Sequence, residues 1–477
     1  MYVCVTMSSV EVKQMESVVR LASLKISNIK NVRNGQIIMP NTFRKQLGYK
    51  NAEVLGLYGQ NGSGKTAVID ALYYLQKIMI GSVLEDEIAD YIEVNEKEAE
   101  ISADFNIFAD SVIYEAGYKI ILQRNGKHAE IIRETLSCAI NEKDSRSNKT
   151  VFMDYQRMDK DIVFSPRKRF NEVIEANAEN KTDLIVARKM AEKENCSYIF
   201  GESSREIFCR CYENDFRHYS ETIKALFKFA LKDLFVIRNA HSGVISANFL
   251  LPMAFRIEQD EIGMKEDFAV PLTEPIILNE ERKNVLDVIV EQVNMVLFTI
   301  IPGMKIAVHN HGMQLTDSGE NGYRVEIVSI RDGMAPIPIR MESEGIIKII
   351  SILNALIQAF GNFSICLVID ELDAGIFEYM LGELLDIFSK SAKGQLIFTS
   401  HNLRALEMLD KDSIMLSTAN PDRRYIRMKN VKATNNQRDM YLRGITLGGQ
   451  DEVIYEETDS LKIARAFRKA GRMIQHE

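Results

Sequence analysis

The chain has 477 residues, 46% of them hydrophobic and 26% charged, which excludes long disorder and exceeds one ordinary domain, so two lobes or one domain with a large insertion are expected. A net charge of −8 gives no bulk pull toward nucleic acid, and any such binding has to come from a local patch. The six cysteines are scattered, with one Cys-x-Cys at Cys209 and Cys211 and no second pair at zinc-ligand spacing, which reads as reduced thiols in a cytoplasmic protein.

In chain order, Glu11, Lys13, Glu16 and Arg20 interrupt the first twenty residues, so no secretory signal is expected there. Alternation over Leu21 to Pro40 predicts two short strands around a turn at Asn31 to Gly35. A third strand, Ala52 to Tyr58, runs into a glycine-rich segment. Val68, Ile69, Ala71, Leu72 and Leu75 then give helical spacing over Thr66 to Met79. From Glu98 to Met158 alternation returns and predicts an antiparallel subsheet. Between about Phe164 and Phe235 the chain is charged and helical without sustained heptads, so a coiled-coil arm is not expected.

Asn279 to Ile301 predicts a helix stopped by Pro302-Gly303, followed by strands near Met304 to His309, Tyr323 to Arg331 and Ile337 to Met341. A helix over Glu344 to Phe360, a buried strand over Ser364 to Ile369, a helix near Phe377 to Ser389 and a strand over Gln395 to Thr399 complete an α/β alternation. That order predicts a parallel sheet with its site at the strands' carboxyl ends. The most apolar stretch, Ile346 to Asp370, is broken by Lys348, Asn354, Gln358, Gly361 and Asn362, which argues against a membrane span.

Three segments carry chemistry. Gly59-Gln60-Asn61-Gly62-Ser63-Gly64-Lys65-Thr66 has P-loop spacing between a strand and a helix. Its glycines let backbone N–H groups and a helix N-terminus face the phosphates of ATP, Lys65 reaches the β/γ oxygens, and the Thr66 hydroxyl meets Mg²⁺. Cys366 to Ile369 is an apolar strand ending in Asp370-Glu371, which suits a Mg²⁺ partner beside a base that orients or deprotonates water. The plainer alternative is a solvated acidic turn. His401 follows the strand Gln395 to Thr399, where it is either structural or a hydrogen-bond donor to the γ-phosphate or the lytic water.

In this order the three segments resemble the Walker A, Walker B with D-loop, and H-loop of ABC and SMC-like ATPases. In that superfamily a Ser-Gly segment opening a helix before Walker B contacts the γ-phosphate held by the opposite subunit. Met341-Glu342-Ser343-Glu344-Gly345 occupies that place, keeping Ser343 and Gly345, and its Ser-Glu-Gly form is similar to SMC-like and OLD-related ATPases. Read from residues alone, Ser343 is a helix N-cap, which is compatible with that role. The resemblance extends to Ile26–Gly35, placing Lys30 and Asn31 near the nucleotide, with surface-strand residues as the alternative. No Q-loop is assigned, since Gln76 lies too close to the P-loop and Gln123 precedes a turn.

The resemblance implies an ABC-type P-loop ATPase head with a mixed central sheet, an antiparallel β subsheet and a helical insertion. It divides the chain into an N-terminal lobe (1–165), a mostly helical insertion (166–275) and a C-terminal lobe (276–477). It also implies ATP hydrolysis with Mg²⁺ between two copies paired head to head. The compact length resembles stand-alone ATPase subunits of bacterial anti-phage systems of the Septu and PARIS type, implying a sensor or regulator of a separately encoded effector, a nuclease. A DNA-repair or chromosome-maintenance clamp is the alternative, and a transporter engine is disfavoured by the long stretch between Thr66 and Ser343. Arg423, Arg424, Arg427, Lys429, Lys432, Arg438 and Arg443, with Tyr425 and Tyr441 interleaved, either grip a nucleic-acid backbone or form a solvated face.

Overall fold

The computed structural model describes residues 17–43, 48–109, 111–142, 145–238, 250–253, 268–272, 274–316, 319, 321–429 and 436–473. Two sheets organise it. The central one has six strands in the order Tyr425–Ile426, Ile414–Ser417, Glu53–Tyr58, Gln395–Thr399, Cys366–Ile369 and Leu234–Ile237. All neighbours are parallel except the first, short edge strand, so the sheet is mixed. Its inner strands are apolar on both faces because both are covered. Leu55, Leu57, Val68, Val368 and Ile397 enter one core, whereas Val54, Tyr58, Leu367, Ile369, Leu396 and Phe398 enter a second on the opposite face.

The second sheet is antiparallel and begins with the hairpin Val18–Ile29 and Val32–Ile38. Glu98–Ala109, Val112–Asn125, His128–Glu142 and Thr150–Gln156 extend it. The first turn is tighter than the sequence suggests. It closes at Lys30 and Asn31, with Asn28 and Lys30 at φ 57° and 52°, while Val32 to Gly35 already pair with the opposite strand. Asn tolerates this left-handed region better than most residues, and the buried Val32 side chain pulls the following residues into the strand.

The helix Lys65–Met79 lies between the two sheets, with eleven of its side chains buried. The helical segment is folded onto this same core: Phe200, Phe208, Phe216, Ile223 and Phe229 pack with Tyr118, Phe152 and Tyr155. Its helices end near residue 228, and a five-residue π turn leads into Leu234–Ile237, the strand beside Cys366–Ile369. The range 166–275 therefore contributes an edge strand to the central sheet. Four apolar residues at the end of a helical stretch carry too little periodicity to distinguish strand from helix.

A third core lies in the C-terminal lobe, where the helix Glu280–Ile300 covers the strands Ile276–Leu278, Met304–Leu315 and Asn321–Arg331. The expected strand over Ile337 to Met341 is only Ile337–Pro338, since residues 339–341 turn into a short 3₁₀ helix. Among the described residues one helix, Glu344–Gly361, is long and apolar enough to cross a membrane. Its composition has a packing reason: Ile347, Ile350 and Leu353 enter the third core, while Ile349, Ile352, Ala355 and Ala359 enter the second. A helix buried on two sides is apolar nearly all round.

Candidate nucleotide site

Strand Glu53–Tyr58 delivers the glycine-rich loop to the N-terminus of Lys65–Met79, at the carboxyl end of the parallel sheet. Gly59, Gly62 and Gly64 have φ of 154°, 76° and 86°, conformations that a side chain rarely adopts. A Cβ on Gly59 would lie 2.0 Å from Ser417 Oγ, and one on Gly64 2.8 Å from Val32 Cγ2. The loop's crest, Asn61 and Gly62, is exposed, so its backbone faces outward. Such a curl of N–H groups at a helix start suits phosphate oxygens.

Lys65 is only 7% exposed, and its Nζ donates to the carbonyls of Gly59 at 2.9 Å and Gln60 at 3.1 Å. Burial pushes its pKa down to about 8, against the opposing pull of Asp370, Glu371 and Asp373. Ser63 Oγ bonds the Gln60 carbonyl at 2.6 Å and also the Ser417 hydroxyl.

The acidic pair sits beside the loop. Asp370 is buried at the end of Cys366–Ile369, and its Oδ1 accepts from Thr399 Oγ1 at 2.6 Å and from Thr66 Oγ1 at 3.4 Å. A hydroxyl and a carboxylate at this separation form a hard-oxygen donor set, which fits Mg²⁺ completed by water and phosphate oxygens. Among the described residues no cluster of three or more His, Cys, Asp or Glu offers an all-protein metal site.

Glu371 has a left-handed backbone, φ 48°. Its N–H donates to Thr399 Oγ1 at 2.7 Å, and its carbonyl accepts from Lys348 Nζ. A non-glycine residue held this way stores roughly 1–3 kcal/mol of strain, kept only where surroundings enforce it. His401 follows the neighbouring strand, and its backbone N–H donates to Asp373 Oδ2 at 2.9 Å. Its ring reaches solvent yet is ringed by protein atoms; partial desolvation first, then the Lys65 charge, lower its pKa and favour the neutral imidazole.

Ser343 caps the helix Glu344–Gly361, its Oγ accepting from the Ile346 N–H, and is exposed. Gly345 packs onto the turn after Asp370 so closely that a Cβ there would lie 2.0 Å from the Gly375 carbonyl oxygen. The start of the helix Glu344–Gly361 and that turn therefore meet backbone to backbone. Asn31 donates from its side chain to the Gly62 carbonyl, against the loop. Lys30 instead pairs with Asp70 on the P-loop helix and lies over the Tyr91 ring, 4.4 Å from its centroid, so the structure brings Asn31 but not Lys30 to the loop.

The basic segment is part buried brace and part paired surface. Arg424 is 5% exposed, donates to the Thr418 carbonyl at 2.6 Å and to the Asn31 carbonyl, and its Cδ would lie 3.3 Å from a Cβ placed on Gly64. Tyr425 is buried and its hydroxyl donates to the Gly64 carbonyl at 2.6 Å. Arg427 bonds the carbonyls of Asp412 and Ile38. Arg423 and Lys429 pair with Asp451, Arg438 pairs with Glu407, and Tyr441 is in the core. Arg443 is exposed, and Lys432 lies outside the described residues. The acids that pair with Arg423, Lys429 and Arg438 lie 22 to 31 residues away, beyond a window count.

Sequence reasoning missed Ser417, Arg424 and Tyr425 as braces of the loop, Thr399 and Lys348 as holders of the acidic pair, and Arg238. Arg238 ends the edge strand and pairs with Asp70 at 3.1 Å, tying that strand to the P-loop helix. Lys348 carried a signal, being a cation inside an otherwise apolar helix. Gln76 is structural, bonded to the carbonyls of Ala230 and Leu234, and Gln123 is half-buried and bonded to Glu98.

The glycine loop between strand and helix, beside a hydroxyl and a carboxylate at the end of a parallel sheet, has P-loop geometry. The family model described as "AAA domain, putative AbiEii toxin, Type IV TA system" matches residues 54–184. No curated protein matches the chain. Among solved structures, the chain is similar to an Smc head bound to the C-winged helix domain of ScpA, at 14% identity and TM-score 0.44, covering 87% of this chain and 98% of that one. It is also similar to an Smc head with an extended coiled coil bound to the C-terminal domain of ScpA from Pyrococcus furiosus, at 16% identity and TM-score 0.39, covering 86% and 96%. A third is an Smc head with a coiled coil and joint from Pyrococcus yayanosii, at 15% identity and TM-score 0.41, covering 89% and 99%.

Proposed function

We propose that the chain is an ATP-driven switch in which two heads close on two ATP molecules and open on hydrolysis. The observation that supports it best is the corner formed by Ser343, Gly345 and Gly375: an exposed N-cap hydroxyl and helix N-terminus locked to the loop that follows Asp370. Those groups turn to solvent and suit the γ-phosphate on an opposing P-loop.

Within one head, the P-loop backbone and Lys65 bind and orient the phosphates. Thr66 and Asp370 would hold Mg²⁺, which when bound would supply charge neutralisation on the phosphate oxygens. Glu371 takes a proton from the attacking water, and its backbone, clamped by Thr399 and Lys348, limits where the carboxylate can point. His401, kept neutral by its surroundings, donates a hydrogen bond toward the same water or the γ-phosphate. Closure excludes bulk water from this chemistry, and opening is the output.

The output we assign is control of a separate effector, a nuclease, in anti-phage defence. The resemblance to stand-alone ATPases of Septu and PARIS type supports it, and the pairing of Arg423 and Lys429 with Asp451 and of Arg438 with Glu407 weakens the pull of that segment on a phosphate backbone. Glu371→Gln tests the switch: ATP binding is retained, turnover falls by at least about a hundredfold, and a dimer accumulates in light scattering. Unchanged turnover removes Glu371 from its role, and an oligomer size indifferent to ATP removes closure. Expression with its genomic neighbours under phage challenge tests the biology. Absence of protection together with tight, salt-sensitive DNA binding points instead to a repair or chromosome clamp.

A further inference from the structure

Among the described residues, none covers the apolar face of the helix Ser460–Met473, which is exposed. Ile463, Ala466, Phe467 and Ala470 lie along one side, while Lys462, Arg465, Arg468 and Lys469 lie along the other, with no acid from 460 to 471. Phe467 is 76% exposed, and Leu461 and Ile463 are exposed with it. The chain leading into this helix is firmly placed. Ile454 sits in the second core, and the Glu456 N–H donates to the side-chain oxygen of Gln60, inside the P-loop, at 2.8 Å. Residue 460 is four positions on, so the helix starts within about 14 Å of that bond and runs about 20 Å.

On the other side of the site, the corner formed by Ser343, Gly345 and Gly375 carries an apolar patch of its own. Met341 is 70% exposed and Phe377 69% exposed, with Tyr379 exposed beside Phe377, their rings 5.9 Å apart. The cations of the helix are matched here by exposed acids, Glu344, Glu378 and Glu383. A basic amphipathic helix anchored at the P-loop thus has its chemical complement, apolar and acidic, at the signature corner. When two copies pair so that the P-loop of one faces the signature of the other, these surfaces fall on the same seam.

We infer that Ser460–Met473 of one copy docks on the Met341, Phe377 and Tyr379 patch of a second copy, strapping the closed pair and reporting loop occupancy through Gln60 and Glu456. The inference rests on the paired-head reading. The phenylalanine is the anchor, since buried aromatics dominate such contacts, and the rim charges favour the correct partner more than they add affinity.

The test uses the full chain with a non-hydrolysable ATP analogue and Mg²⁺. A photo-reactive phenylalanine analogue at position 467 is mixed with a tagged wild-type copy; cross-links to residues 377–387 of the tagged copy are expected. The double variant Ile463→Glu, Phe467→Glu alters only exposed side chains, and its dimer dissociation constant by analytical ultracentrifugation should rise about thirtyfold, as loss of one aromatic anchor implies. If wild type dimerises with the analogue and the double variant does so equally, docking is refuted while paired heads stand. If wild type stays monomeric, both fall. Binding of the helix to a DNA duplex or to anionic vesicles, lost in the double variant while the dimer is untouched, overturns the inference in favour of that other partner.

Discussion

Gly345→Ala is a sharp probe of the corner that presents Ser343. The added methyl would sit 2.0 Å from the carbonyl oxygen of Gly375, and Cβ atoms essentially never approach closer than 3.0 Å, so signature helix and D-loop must separate by at least 1.0 Å. The neighbour is backbone, Gly375 is itself left-handed at φ 75°, and the flanking Leu372 and Ile376 are buried, so the strain cannot be relieved by turning a side chain. Overpacking of this kind costs about 1–3 kcal/mol, a loss that a large three-core protein survives folded. The functional cost is larger, because a displacement of about 1 Å in a positioning element lowers rates by roughly a hundredfold. Thermal unfolding followed by circular dichroism should therefore show a modest shift, while steady-state phosphate release falls by about two orders of magnitude and nucleotide affinity of the single head holds. Wild-type turnover in a folded Gly345→Ala protein would refute both the closeness of the corner and its part in the reaction.

Lys65 gives a pH signature. Its folded pKa of about 8 lies below the ordinary lysine value of 10.5, so the unfolded chain binds that proton more tightly. Keeping Lys65 charged costs the fold stability below about pH 8, and the cost is relieved as pH rises toward 10.5. Phosphate binding has the opposite dependence: affinity for a fluorescent ATP analogue should fall between pH 7 and pH 9 in wild type, and a flat profile there would show that the Lys65 charge does not contribute. Arg424→Ala should destabilise the chain by about 2–4 kcal/mol in denaturant melts, because the carbonyls of Thr418 and Asn31 lose a charged donor. Arg443→Ala, on an exposed surface, should stay within about 0.5 kcal/mol. Equal effects of the two would restore the segment as a solvated face.

The glycine loop, the acidic strand and His401 were legible because their chemistry is local. A loop that curls around phosphates needs glycine at set positions, and a carboxylate pair at a buried strand's end needs an apolar run before it. The capping of Glu344–Gly361 by Ser343 and the antiparallel sheet were legible for the same reason, through a single N-cap and through strict alternation. What surrounds those motifs was not. Asn31, Ser417, Arg424 and Tyr425 reach the P-loop from positions more than thirty and more than three hundred residues away. Arg423 and Arg438 of the basic run looked unpaired only until Asp451 and Glu407 were brought beside them. Periodicity and spacing report which face of an element is buried, not which distant element covers it. The sequence by itself therefore determined where the glycine loop, the acidic strand end and the helix cap lie. The tertiary structure decided which cations brace the loop, which strand completes the sheet beside Asp370, and which helix is left with an uncovered face.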